Sequence, residues 1–339
     1  LSAEEVREIS SLVFASGAAA LAFRRWTAGD LFRDASLATR LRSVFREEQT
    51  LAAFRYLRSR GVEPLVIKGW AAARLYAEPG CRPYVDVDVC VSPEDYDRAV
   101  AAAAAAPPEA GSIDVHFPPS RLGVSGRSLH KVGDDFRELD DRDWDDVVGH
   151  SVTVEAAGGE IRVPGEEDHL RVLALHFLRH SGYRPLWLCD IAAAVERRSA
   201  GFDFDRLFAG DPWRRACVRA AIRLAGELLG ANMESVPGLD REGALPSWFL
   251  PAVLKEWETP YRWPAGRPLV GPALLENPAA ILREARRRWP GALESTVNLR
   301  APWNNFPRFP FQLAQLLWRL PEIPRQMIAE LRARPAGSA

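Results

Sequence analysis

In the stretch CRPYVDVDVCV, residues 81–91, a single valine separates Asp86 from Asp88. Residues i and i+2 of a strand project to one side, roughly 6.6–7 Å apart. Asp86, Asp88 and Cys90 therefore share one face, and Val85, Val87, Val89 and Val91 share the other. Strands tolerate aspartate poorly, and two like charges this close repel unless a cation lies between them. The bland alternative is an edge strand with its polar face in water. A divalent cation gripped by both carboxylates removes the conflict. Mg²⁺ (or Mn²⁺) is held in this way, by one or two carboxylates together with substrate phosphates.

A two-metal phosphoryl-transfer site calls for a third carboxylate from a neighbouring strand. Asp114 is the sole acid of SIDVHF (112–117), with His116 two residues further along the same face. The competing reading is a strand-end aspartate in solvent. Phosphates also need a cradle. Lys68-Gly69 closes the short strand EPLVIKG (63–69) and opens a helical stretch, WAAARLYAEPG. A glycine at such a turn lets backbone approach closely, and a helix start favours anions.

The elements that must position these residues can be read from pattern. Residues 3–24 and 31–60 have helical character, the first opened by the capping-box pair Ser2 and Glu5. Strands are expected at 63–69, 84–91 and 112–117. SPEDYDRAVAAAAAA (92–106) is a helix with Ser92 as N-cap, Pro93 at the first position and Asp95 completing the box. VTVEAAGGEIRV (152–163) is a hairpin with glycines at its turn, and from Glu166 onward the pattern is mainly helical. The expected class is α+β: a small mixed sheet with N-terminal helices and a mainly helical C-terminal half. The implied units are N-terminal helices (1–60), an α/β core with hairpin (61–165) and a helical region (166–339).

Composition narrows the function classes. A net charge of −1 gives no global pull toward nucleic acid or membrane. No apolar run approaches the roughly 20 residues of a membrane span. Cys81, Cys90, Cys189 and Cys217 are scattered without a CxxC pair. That suggests reduced thiols and a cytoplasmic protein rather than a disulfide frame or zinc site. The opening LSAEEVREIS is acidic and helical, unlike a signal peptide.

LVIKGWAAARLY, CRPYVDVDVCVSPEDYDRA and IDVHF, in this order and spacing, resemble the uncharacterised nucleotidyltransferase family within the DNA polymerase β superfamily. The likeness continues through GEEDHLRVLALHFLRHSGYRPLWLCDIAAAV and covers roughly residues 45–195, with an echo at RRRWPGA (286–292). It implies a nucleotidyltransferase fold with Asp86 and Asp88 as the metal-binding pair. Asp114 would be the third acid and general base, and Gly69 the phosphate-loop glycine. One position departs from the wider pattern: Trp70 follows that glycine where a small residue is usual, and Lys68 would supply the phosphate contact instead.

Further candidates are less specific. Arg82 and Arg74 could meet phosphate, although a sequence with three lysines among 44 basic residues has many arginines serving only the surface or ion pairs. His169, His176 and His180 fall within ~40° on one helix. His176 and His180 are read as lining the nucleotide cleft, with a satisfied structural stripe as the equal alternative. Zinc, with Cys189 or Asp190 as added ligands, is a minor alternative because Phe177 stands where the metalloprotease helix has its glutamate. The acidic run 134–146 reads as a solvated segment, and Trp257, Trp263, Trp289, Trp303 and Trp318 as packing for a helical subdomain. The expected activity is metal-dependent transfer of a nucleoside monophosphate from an NTP such as ATP to a small-molecule, peptide or protein acceptor. Two readings compete: a non-catalytic nucleotide- or protein-binding relic of the fold, and a DxD metal-dependent glycosyltransferase.

Overall fold

Ser2 opens the first helix by reciprocal capping: its Oγ accepts the Glu5 N–H at 3.2 Å, and the Glu5 carboxylate accepts the Ser2 N–H at 2.6 Å. A computed structural model describes residues 2–25, 30–116, 143–234, 236–239, 244–258 and 289–319. The helix expected over 3–24 is two helices, α1 (Ala3–Ser16) and α2 (Ala19–Arg25). Gly17 separates them at φ +77°, a left-handed cap that glycine adopts without steric penalty. The long α3 (Arg33–Ser59) follows, and its second half buries Leu51, Ala53, Phe54 and Leu57.

The sheet is mixed and short. β1 (Leu65–Val66) runs antiparallel to β2 (Val87–Cys90), which runs parallel to β3 (Ile113–His116), in the order β1-β2-β3. Between the strands lie α4 (Gly69–Ala73) and α5 (Tyr96–Ala104). All three strands are shorter than their sequence pattern. β1 stops because Lys68 leaves it at φ +51°, a conformation that is uncommon outside glycine. β2 starts late because Asp86 sits in a bend just before it, and Val85 there is 66% exposed. Ser92 Oγ does accept the Asp95 N–H at 3.1 Å, yet regular helix begins only at Tyr96.

Placing β2 in the centre corrects the edge-strand alternative. Val66, Val87, Val89 and Val91 pack with Leu51, Phe54 and Leu57 of α3. On the opposite face, Leu65, Ile67 and Cys90 pack against Val147 of α6 (Trp144–Gly149) and Val172 of α7 (Glu166–Arg179). A strand covered on both faces does not alternate cleanly between core and solvent. The face carrying Asp88 is therefore an interior one.

The expected hairpin forms from β4 (Val152–Ala156) and β5 (Gly159–Val163). Ala157 and Gly158, both at positive φ (44° and 81°), make the two-residue turn that matches strand twist. Among the described residues the remaining α-helices are α7, α8 (Pro185–Glu196), α9 (Phe204–Phe208), α10 (Pro212–Leu229), α11 (Phe249–Trp257), α12 (Ala292–Asn298) and α13 (Phe309–Arg319). Their core includes Leu175, Phe177, Leu188, Ile191, Ile222 and Phe249. Trp257 and Trp303 pack on it, Trp289 stacks on Phe309, and Trp318 is half exposed. Trp263 and most of the acidic run 134–146 lie outside the described residues. At the end of that run Asp143 caps α6 by accepting from Asp145 and Asp146 N–H. The class is α+β, and among the described residues no helix is long and apolar enough to cross a membrane.

Candidate metal centre

Parallel pairing of β2 and β3 puts Asp88 directly opposite Asp114. Facing residues of paired strands project to the same side, so both carboxylates and His116, two residues beyond Asp114, share one surface. His116 Nε2 lies 2.9 Å from Asp88 Oδ1 and 3.3 Å from Asp114 Oδ2. Lys68 Nζ lies 2.9 Å from Asp88 Oδ1 and 3.1 Å from His116 Nε2. Like-charge repulsion at Asp88 is thus offset within the chain by a buried ammonium and an imidazole.

These charges shape protonation. Burial acts to raise the Asp88 carboxyl, but Lys68 and the bond from His116 outweigh it and hold the group well below the usual carboxylate range. The hydrogen bond from His116 lowers Asp114 against the effect of burial. Burial and Lys68 would lower His116, yet its bonds to Asp114 and Asp88 leave it raised. Asp86 differs. Burial and the neighbouring Asp88 push its carboxyl up, with Lys68 opposing.

Among the described residues the group of three metal-type donors is Asp88, Asp114 and His116, whose ligand atoms lie within 4.8 Å of one another. Asp86 stands outside that group, on the bend into β2. The donor set fits a divalent cation: the two carboxylates suit Mg²⁺ or Mn²⁺, and the imidazole adds a nitrogen donor of the kind that later transition metals favour. The space beside it is kept open by Gly69. A Cβ there would sit 3.6 Å from Asp88 Oδ2 and 3.4 Å from the Asp86 carbonyl oxygen. Trp70 does not fill this space, because its side chain packs in the core of the valine face.

The other sequence candidates lie elsewhere. Arg82, expected to contact nucleotide, is 4% exposed. Its Nε and Nη2 donate to Asp190 Oδ1 and Oδ2 at 3.2 and 2.6 Å, and its Nη1 donates to the Pro83 carbonyl at 3.1 Å. This corrects the phosphate-contact expectation: the guanidinium is spent on a buried pair. Arg74 lies over the Trp70 ring at 5.0 Å. His176 and His180 form an aromatic group with Trp187, each ring within 5.3 Å of its indole, and Tyr183 adjoins. They are placed with these rings rather than in the Asp88 donor group. His169 is buried separately, its Nε2 without a hydrogen-bond partner among the described residues. Neither Cys189 nor Asp190 completes a three-donor group with the histidines, so the zinc alternative finds no support among the described residues.

His116, read from the sequence only as sharing the Asp114 face, is the donor that was given no metal role there; its signal was the D-x-H alternation of that strand.

The sheet, the facing carboxylates and the lysine turn together define an α+β protein with a candidate cation-binding centre on the interior face of a short mixed sheet. Residues 26–230 match the uncharacterised nucleotidyltransferase family, and with well over half the chain covered, the protein belongs to that family. No curated protein and no solved structure matches the chain.

Proposed function

We propose that this protein transfers a nucleoside monophosphate from an NTP to an acceptor with release of pyrophosphate. The observation that carries the reading is the register pairing of Asp88 with Asp114, joined by His116. Asp88, Asp114 and His116 would hold Mg²⁺ or Mn²⁺, with Asp86 as the adjoining acid. When bound, the cation supplies charge neutralisation at the phosphates. In the reaction an acceptor oxygen forms a bond to the α-phosphorus. The bond from that phosphorus to the bridging oxygen breaks, and pyrophosphate leaves with the electron pair. Asp114, whose side chain is 56% exposed, is the carboxylate an acceptor can reach, and it takes the acceptor proton. Lys68 neutralises Asp88 in the free protein and offers its ammonium to the phosphates once nucleotide is bound. Gly69 leaves room for their approach.

Four free cysteines agree with a reducing, cytoplasmic setting. The acceptor is a small molecule, a peptide or a protein. The test is incubation with each labelled NTP, Mg²⁺ or Mn²⁺ and acceptor pools, with pyrophosphate as readout. Pyrophosphate that depends on both metal and acceptor supports transfer. Its absence with every NTP and pool turns the assignment to nucleotide binding without turnover. One observation favours that second reading: the Lys68 ammonium already occupies Asp88 Oδ1.

A further inference from the structure

Asp190 lies on α8 in the helical half, yet its carboxylate receives donors from the segment that follows α4 and from the one that leads into β2. Tyr76 Oη donates to Oδ1 at 2.8 Å. Tyr76 follows α4, the helix that begins at Gly69. Arg82 grips Oδ1 and Oδ2 through Nε and Nη2, and Arg82 begins the irregular segment that leads into β2. The Asp190 side chain is fully buried, and that of Arg82 is 5% exposed.

The segment from Arg82 to Asp86 has no sheet ladder to fix it. At its far end the Val87 N–H donates to the Ser112 carbonyl, where β2 joins β3. At its near end the Asp190–Arg82 pair is the anchor. Between the two, Tyr84 Cβ and the Asp86 carbonyl line the space beside Gly69. Displacement of Arg82 would therefore move both the wall of the phosphate space and the bend that carries Asp86. A buried bidentate arginine–carboxylate pair fixes orientation as well as distance. Removing one partner leaves the other charge buried and unpaired.

We infer that Asp190 is a positioning residue of the metal and nucleotide centre, acting through Arg82 and Tyr76 to lock the Tyr76 and Arg82–Asp86 segments onto the helical half. The inference rests on the function proposed above. In this arrangement the helical half sets the geometry of the site without contributing a ligand to it.

The experiment is Mn²⁺ binding to the full chain, with and without NTP, followed by the electron paramagnetic resonance of free Mn²⁺. The proteins are wild type, Asp190→Asn and Tyr76→Phe, each with its unfolding midpoint measured alongside. Asp190→Asn is expected to weaken Mn²⁺ bound together with NTP at least about tenfold, because the phosphate wall and Asp86 both shift, a loss of the size seen when groups supporting a metal site are removed. Tyr76→Phe, which keeps the ion pair and its packing, is expected to weaken it about tenfold, the lower end of the value of one hydrogen bond to a charged group. If Asp190→Asn does not fold, Tyr76→Phe decides. Variants with lowered midpoints but wild-type Mn²⁺ affinity in the folded protein would overturn the positioning role and leave the proposed function standing. A wild type that binds no Mn²⁺ would overturn both.

Discussion

Asp88 and Asp114 face each other across neighbouring parallel strands, and His116 Nε2 lies within 3.3 Å of both carboxylates. Their surroundings are unequal: the Asp88 side chain is 11% exposed and the Asp114 side chain 56%. Similar acids in one site are thus expected to respond differently to the same substitution.

Asp88→Asn should cost stability as well as function. It leaves the Lys68 ammonium buried against a neutral amide, and breaking a buried pair from one side costs about 3–5 kcal/mol. Urea unfolding of the metal-free protein measures this. A variant as stable as wild type would show that Lys68 does not depend on Asp88.

Asp114→Asn should separate the two effects. The exposed carboxylate contributes little to folding, and the expected stability change is within about 1 kcal/mol. Pyrophosphate release should fall by about 100-fold or more, as expected on removal of a general base. Unchanged turnover with an intact fold would remove Asp114 from the chemistry.

Gly69→Ala tests the open space beside Asp88. The nearest contacts of an added Cβ are 3.4–3.6 Å, which is ordinary packing, so the protein should fold with a near-wild-type melting temperature. NTP affinity should drop several-fold, because the methyl group enters the space assigned to phosphate. Calorimetric titration with metal present distinguishes this from undiminished binding.

Metal and NTP together should stabilise the chain by linkage. At a ligand excess of about 100 times the dissociation constant the gain is about 2.7 kcal/mol. A chelator should reverse the rise in melting temperature. Absence of any shift with all four NTPs would count against nucleotide binding.

His169 gives a pH dependence with a definite sign. Burial lowers its pKa to about 4, Arg82 adding to the effect and Asp190 opposing it. The imidazole is therefore neutral in the folded protein, while the unfolded chain takes up its proton near pH 6.5. The associated stability is fully present above that pH and is lost as pH falls toward 4, by about 1.4 kcal/mol per pH unit. His169→Leu should remove this component, seen as a flatter stability profile between pH 6.5 and 4. An unchanged slope would place the titrating group elsewhere.

Much of the centre was legible in the sequence because its signals are local. Capping at Ser2, the turn of the 152–163 hairpin, the Asp88 face, Asp114 and the glycine after Lys68 all follow from spacings of a few residues. Strand ends were less legible. Lys68 breaks β1 and Asp86 delays β2 through backbone turns that propensity does not encode. Tertiary structure alone decided what met Asp88: Lys68 comes from the turn before α4, and His116 from a strand 28 residues on. It also turned Arg82 from a candidate phosphate contact into the partner of Asp190, 108 residues away. His176 and His180 show the same division. Helical period put them on one side, but that side met Trp187 and Tyr183. Periodicity tells which residues look in the same direction. Which charge or ring waits there depends on how distant segments pack, and that is fixed by burial and pairing over the whole fold.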